Sequence, residues 1–198
     1  MILSKMLKQC KKNKHIQIIT YGEHEYLSSG KVAGYIDADV EEWTAEDCAA
    51  AIGIPADVRD MYIYAPIYYP ELTNLTYAAP MSFYVGSDTG TIMYPFRLTD
   101  ERVFFVDMEL LKIFDEVKDK HYYFKEAQSE DETGLLVIMS GTFAVGVIPP
   151  MRVNLNGMSA FAADLLTGLN ASEEAEFLDA GGQMEIRDPV EAESEETK

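Results

Sequence analysis

Apolar positions recur at two different periods along this 198-residue chain, and the switches between them mark its elements. Leu3, Met6, Leu7 and Cys10 share one face at helical spacing, with Ser4 placed to cap a helix that ends near Lys12. The next segment, HIQIITY (15–21), alternates with period two and is rich in β-branched and aromatic residues, which predicts a strand. HEYLSSG (24–30) and KVAGYID (31–37) continue as two more strands, turning at Gly22-Glu23 and Ser29-Gly30. A second helix is expected over TAEDCAAAIGI (44–54). Thr44 is its N-cap, Asp47 completes a variant capping box, and Gly53 stops it.

The middle of the chain reads as aromatic strands: MYIYAPIYY (61–69), PMSFYV (80–85), TIMYPFR (91–97) and RVFFV (102–106). Pro66 and Pro95 assign two of these to sheet edges or bulges. A helix over Met108–Val117 follows, capped by Asp107, with Leu110, Leu111, Phe114 and Val117 on its apolar face. Three strands come next (120–127, 134–140 and 142–148), with the acidic SEDET as a loop between the first two. Beyond them Leu155, Met158, Phe161, Ala162, Leu165, Leu166 and Leu169 form a helical stripe. A short helix over 172–180 then ends at Gly181-Gly182.

These elements predict an α+β fold, a mainly antiparallel sheet with short helices on one face. Residues 1–153 form the α+β domain, 154–187 a helical extension and 188–198 a disordered acidic tail. Helix-strand-strand-strand occurs at 3–37 and again at 107–149. The third strands of the two units, Ser29–Ile36 and Ser140–Ile148, match with one residue inserted, so a duplicated unit is expected.

Charge and cysteine usage narrow the setting. Acids outnumber bases 34 to 16, for a formal charge of -18, which argues against a protein that coats nucleic acid or anionic membranes. The two cysteines, Cys10 and Cys48, form no CxxC pair, so no disulfide framework is expected. No apolar run reaches signal-peptide or membrane-spanning length, and a soluble, cytoplasmic protein is the expectation.

Few residues combine into chemistry. Asp88-Thr89-Gly90 has the form that presents the carboxylate of aspartic proteases, which need two such aspartates face to face. Gly86-Ser87 precede it, so the segment reads as a hairpin turn, with a dimeric protease using Asp88 as the enzymatic alternative. Asp37, Asp39, Glu41 and Glu42 alternate like metal ligands, but Glu42 and Cys48 stand where a calcium loop needs Gly and Glu. His15, His24 and His121 are far apart, and Ser28–Lys31 lacks the first glycine and the hydroxyl of a phosphate-binding loop. No catalytic group, metal site or cofactor is therefore predicted. The tyrosines of the middle segment are assigned to core and sheet faces, some to a protein interface. Lys5, Lys8 and Lys12 share the face of the first helix opposite its apolar stripe, either as a solvated surface or as a local phosphate contact.

Helix-plus-three-strand units, an acidic body and one basic helix together resemble the sliding clamp family of DNA polymerase processivity factors. Val147-Ile148-Pro149-Pro150-Met151-Arg152-Val153 is similar to the closing Pro-Met-Arg-apolar strand of bacterial clamps, which helps form their partner-peptide pocket. The pattern fits best from Arg102 to Val153, about a quarter of the chain. In bacterial clamps that motif ends the chain, whereas 45 residues follow it here, and the second unit's helix carries Glu109, Asp115 and Glu116. The resemblance implies that Pro150, Met151 and Arg152 meet a protein partner. It also implies that Lys5, Lys8 and Lys12 touch duplex phosphates weakly and that several copies assemble to encircle DNA. Small acidic proteins of this style also resemble phage or prophage products. The expected function is a non-enzymatic acidic binding protein, a clamp-like replication accessory factor of phage type. A DNA mimic that occupies the groove of a nucleic-acid-binding enzyme is the second binding alternative.

Overall fold

A computed structural model describes residues 2–36, 43–86, 90–127 and 133–151. Helix α1 (Ile2–Asn13) buries Met6 and Cys10, with Leu3 and Leu7 packed beside them. It begins at Ile2, so Ser4 lies inside its first turn and not at the cap. Strands β1 (Gln17–Tyr21), β2 (His24–Ser28) and β3 (Ala33–Tyr35) then form an antiparallel meander. Gly22, at φ 61°, makes the two-residue turn between Tyr21 and its partner His24. Helix α2 (Ala45–Ala51) carries the expected capping box. The Thr44 hydroxyl accepts from the Asp47 N–H, and the Asp47 carboxylate accepts from the Thr44 N–H.

The aromatic middle departs from the sequence pattern. Ala56–Met61 is a 3₁₀ segment, Ile63 makes an isolated bridge to Ile16, and only Ile67–Tyr69 becomes strand β4, parallel to β1 at the sheet end. Pro66 interrupts the run, because a proline cannot donate to a ladder. Strands β5 (Leu75–Pro80), β6 (Val85–Gly86), β7 (Ile92–Leu98) and β8 (Val103–Asp107) follow. Pro95 is not at an edge: β7 has β8 on one side, and β6 and then β5 on the other. The Pro95 carbonyl accepts from the Met81 N–H, so its missing donor faces the gap where one partner strand gives way to the next. Asp107 caps α3 (Met108–Leu111), which tightens into a 3₁₀ turn over Lys112–Phe114 and so ends earlier than the apolar spacing suggested. Strands β9 (Lys120–Lys125), β10 (Leu135–Ser140) and β11 (Phe143–Ile148) complete the described chain.

The strands lie in the order β4-β1-β2-β3-β11-β10-β9-β5-β7-β6, with β8 on β7. All pairings but β1–β4 are antiparallel, so the α+β expectation holds. The main core lies beneath the helices, where Met6, Cys10, Cys48, Leu110 and Phe114 meet Ile16, Leu27, Leu136, Ile138 and Ile148 from the sheet. A smaller cluster of Tyr21, Tyr26, Ala33, Val137 and Val147 packs separately. No helix among the described residues is long and apolar enough to cross a membrane. The apolar stripe from Leu155, the short helix over 172–180, the acidic tail and the acidic run Asp37–Glu42 lie outside the described residues.

The two helix-strand-strand-strand units meet where β3 pairs antiparallel with β11, and Gly34 stands opposite Gly146. A Cβ on Gly34 would come within 2.8 Å of Met6 Cγ in α1, and one on Gly146 would overlap the Phe114 ring. Each glycine thus lets its own unit's helical segment settle on the sheet. The residue inserted in the second unit is absorbed by a β-bulge: Ile138 pairs with Gly146 and Met139 with Ala144, leaving Val145 unmatched. The units also share a turn glycine in the left-handed region, Gly30 at φ 78° and Gly141 at φ 59°.

Both cysteines are free and buried. Burial pushes the Cys10 thiol up to about 12 and the Cys48 thiol up to about 11. Neither should react with a thiol reagent at pH 8 in the native state, and both should react once the protein is denatured. Rapid native labelling would contradict this packing. Gly146→Ala should destabilise the fold by about 1–3 kcal/mol in urea titrations, because the Phe114 ring has no free space to move into. Gly86→Ala, with nothing within 4 Å of the added Cβ, should stay within about 0.5 kcal/mol of the parent.

Candidate functional site

The residues singled out by sequence do not converge. Lys5 reaches the Lys112 carbonyl at 3.3 Å and pairs with Glu116 at 3.1 Å, while Lys12 pairs with Glu109 at 3.5 Å. These contacts show that α1 and the α3 segment run antiparallel, and they turn two of the three candidate lysines towards the neighbouring unit. Lys8 is exposed. The chain leaving β11 crosses to β8, where the Met151 N–H donates to the Phe105 carbonyl at 2.7 Å. Met151 packs against Val85, Met93 and Phe105, with Pro150 half-buried before it. The described part of the Pro-Met-Arg motif therefore fastens the second unit to the β7–β8 pair, and Arg152 lies outside the described residues. Asp88 does too, although Val85 and Gly86 pair antiparallel with Met93 and Ile92 on either side of it, as a hairpin turn requires. The histidines make separate ring contacts: His15 stacks on Tyr64 at 4.0 Å and His24 meets Phe143 edge-on at 4.9 Å.

Charge is also distributed otherwise than a uniformly acidic body would require. The described residues hold 15 of the 34 acids and 13 of the 16 bases, a net charge of -2. Most of the excess acid is in segments outside them.

One sizeable concavity was not marked by any motif. It is a groove of about 750 Å³ beside α2. Ile18 and Thr20 of β1 line it, with Glu23, His24 and Glu25 from the adjoining hairpin and Tyr35 from β3. Trp43, Thr44, Ala45 and Glu46 at the start of α2 line it as well, as do residues 63–66 and Tyr68. The register sets Tyr68, Thr20 and Glu25 in one row across β4, β1 and β2. Local structure explains the remaining positions. The capping box fixes the chain direction at Trp43-Thr44. The Ile16 N–H donates to the Tyr62 carbonyl at 2.7 Å, the Tyr64 N–H donates to the Ile16 carbonyl at 2.9 Å, and Gln17 Nε2 donates to the Ala65 carbonyl at 2.7 Å. Arg59, which donates to the Ile54 carbonyl, pairs with Glu46 at 3.0 Å. Glu25 is half-buried; its carbonyl accepts from the Ile36 N–H at 3.0 Å, while its carboxylate has no hydrogen bond or ion pair among the described residues.

Sequence reasoning missed this groove because its lining comes from four separated segments. The signals in the chain were a tryptophan directly before a helix cap and a local excess of tyrosine. No family model, curated protein or solved structure matches the chain. Its own residues therefore carry the chemistry: aromatic rings and carboxylates together favour an organic cation over an anion.

The Thr44 hydroxyl and N–H hold the Asp47 carboxyl below its usual range. The cap is therefore intact at neutral pH and is lost as the pH falls through that lowered value. Thr44→Ala should cost about 1 kcal/mol and shift Trp43 emission to the red at neutral pH. Unchanged stability and emission would mean that the cap does not position Trp43.

Proposed function

We propose that the protein is a non-enzymatic binding module with a clamp-like body, a replication accessory factor of phage type. The observation that supports this reading is the edge-to-edge pairing of two helix-plus-three-strand units, with α1 and the α3 segment side by side over one face of the sheet. Pairs of such units are what the resemblance to sliding clamps implies, and the nearly neutral described body removes one electrostatic objection to a DNA-facing surface. Exposed apolar residues at both sheet ends supply surface through which copies can meet, Ile67 and Tyr69 beside β1, and Tyr84 and Ile92 near β6.

The ion pairs of Lys5 and Lys12 weaken the expected DNA contact. Three free lysines would give a slope of log affinity against log salt near about -3, and with two of them drawn to acids a slope of about -1 is expected. The triple Lys5→Gln, Lys8→Gln, Lys12→Gln variant should keep its thermal stability, since exposed pairs contribute little, and should lose that salt dependence. Light scattering on the full chain should show self-association. A strict monomer with no duplex binding at about 50 mM salt would overturn the clamp reading.

A further inference from the structure

The groove beside α2 plays no part in that reading. We propose that it is a docking site for a lysine or arginine side chain presented by a basic segment of a partner protein. Three carboxylates, those of Glu23, Glu25 and Glu46, line it, and among the described residues no lysine or arginine does. Glu46 has a counter-ion in Arg59. Glu25, half-buried in the row Tyr68-Thr20-Glu25, has none among the described residues. A carboxylate without a partner, set in a concave site, is free to pair with an entering cation. Trp43, Tyr64 and Tyr68 add aromatic surface, to which ammonium and guanidinium groups are attracted through the ring quadrupole. An anion would meet three carboxylates, and a purely apolar ligand would bury Glu25 further without compensating it.

The sheet edge determines how the occupant enters. Among the described residues β4 is the last strand at this end of the sheet. The Tyr69 carbonyl accepts from the Gly22 N–H at 3.2 Å, so 69 faces inward and, by alternation, Tyr68 turns its N–H and C=O to the open edge. Pro66 and Pro70 flank β4 directly on either side and have no N–H to offer. The edge is thus blunted against a further strand. A partner therefore reaches the groove by a side chain, and its main chain lies across the mouth instead of extending the sheet. The volume, about 750 Å³, admits one such side chain with its neighbours.

Trp43 is the sole tryptophan of the chain, so its emission reports on the groove directly. The full-length protein is titrated with a tryptophan-free peptide of alternating arginine and serine, with the glutamate-serine peptide as control. A saturable emission change is expected with the first and none with the second. Glu25→Gln and Tyr68→Ala should each weaken binding about tenfold with thermal unfolding unchanged, while Glu101→Gln, remote from the groove, should bind like the parent. No saturable change would overturn the proposal. Salt-sensitive binding that Glu25→Gln leaves intact would overturn it also, and would assign the peptide to acidic segments elsewhere in the chain. Arginine amide saturating as tightly as the peptide would overturn the protein source in favour of a small free cation. Light scattering that shows a dimer dissolved by Tyr68→Ala would overturn it in favour of a second copy. None of these outcomes depends on duplex binding, so this proposal and the clamp reading can fail separately.

Discussion

The contact on which the rest of this structure depends is the antiparallel pairing of β3 with β11 at Gly34 and Gly146. Joining two three-stranded meanders at their third strands makes one continuous sheet and brings two helical segments onto the same face. Those segments can reach the sheet only if the central strands carry no side chain beneath them. Met6 and Ile2 fill the space over Gly34, and Phe114 fills it over Gly146. The cost of glycine in a strand interior is offset by close helix-sheet packing. The absence of two side chains thus determines how the larger core assembles.

The same arrangement governs the charges. With α1 and the α3 segment antiparallel and adjacent, the lysines of one lie beside the acids of the other, and Lys5–Glu116 and Lys12–Glu109 follow from that geometry. Such exposed pairs contribute little to stability. Their consequence is directional, because a basic helix that looks outward in a helical projection has part of its charge satisfied within the protein. Glu109 and Glu116, which suit a DNA-facing surface poorly, are the acids that hold these lysines.

The groove illustrates the converse. β4 arrives parallel to β1 after a 3₁₀ segment, and this crossover leaves a trough between the sheet and the start of α2. Tyr68, Thr20 and Glu25 come together through strand register, and Trp43 joins them through a helix cap. Prolines on either side of β4 blunt the sheet edge without closing the trough.

Much of the architecture was written in local sequence. Period-two alternation located β1, strand-like apolar and aromatic runs located β2, β9, β10 and β11, and the Thr44–Asp47 capping box located α2, because these features depend on nearest neighbours along the chain. The repeat was legible too, down to the inserted residue, which the structure accommodates as the bulge at Val145. Local pattern misread the aromatic middle, where a run that alternates like a strand breaks into the end of a 3₁₀ segment, a turn at Tyr62, a bridge at Ile63 and a short sheet-end strand. It also assigned Pro95 to an edge or a bulge, because a proline's cost depends on whether a partner faces its nitrogen, and that is a property of the neighbouring strands. The lysine face looked free for the same reason: the acids that engage it are about a hundred residues away in sequence. The groove could not be read at all, since its half-buried Glu25 acquires meaning only when register and crossover set it beside Thr20, Tyr68 and Trp43. Periodicity and caps determined the elements. Which strands became neighbours, which charges met and where a cavity remained were decided by long-range packing.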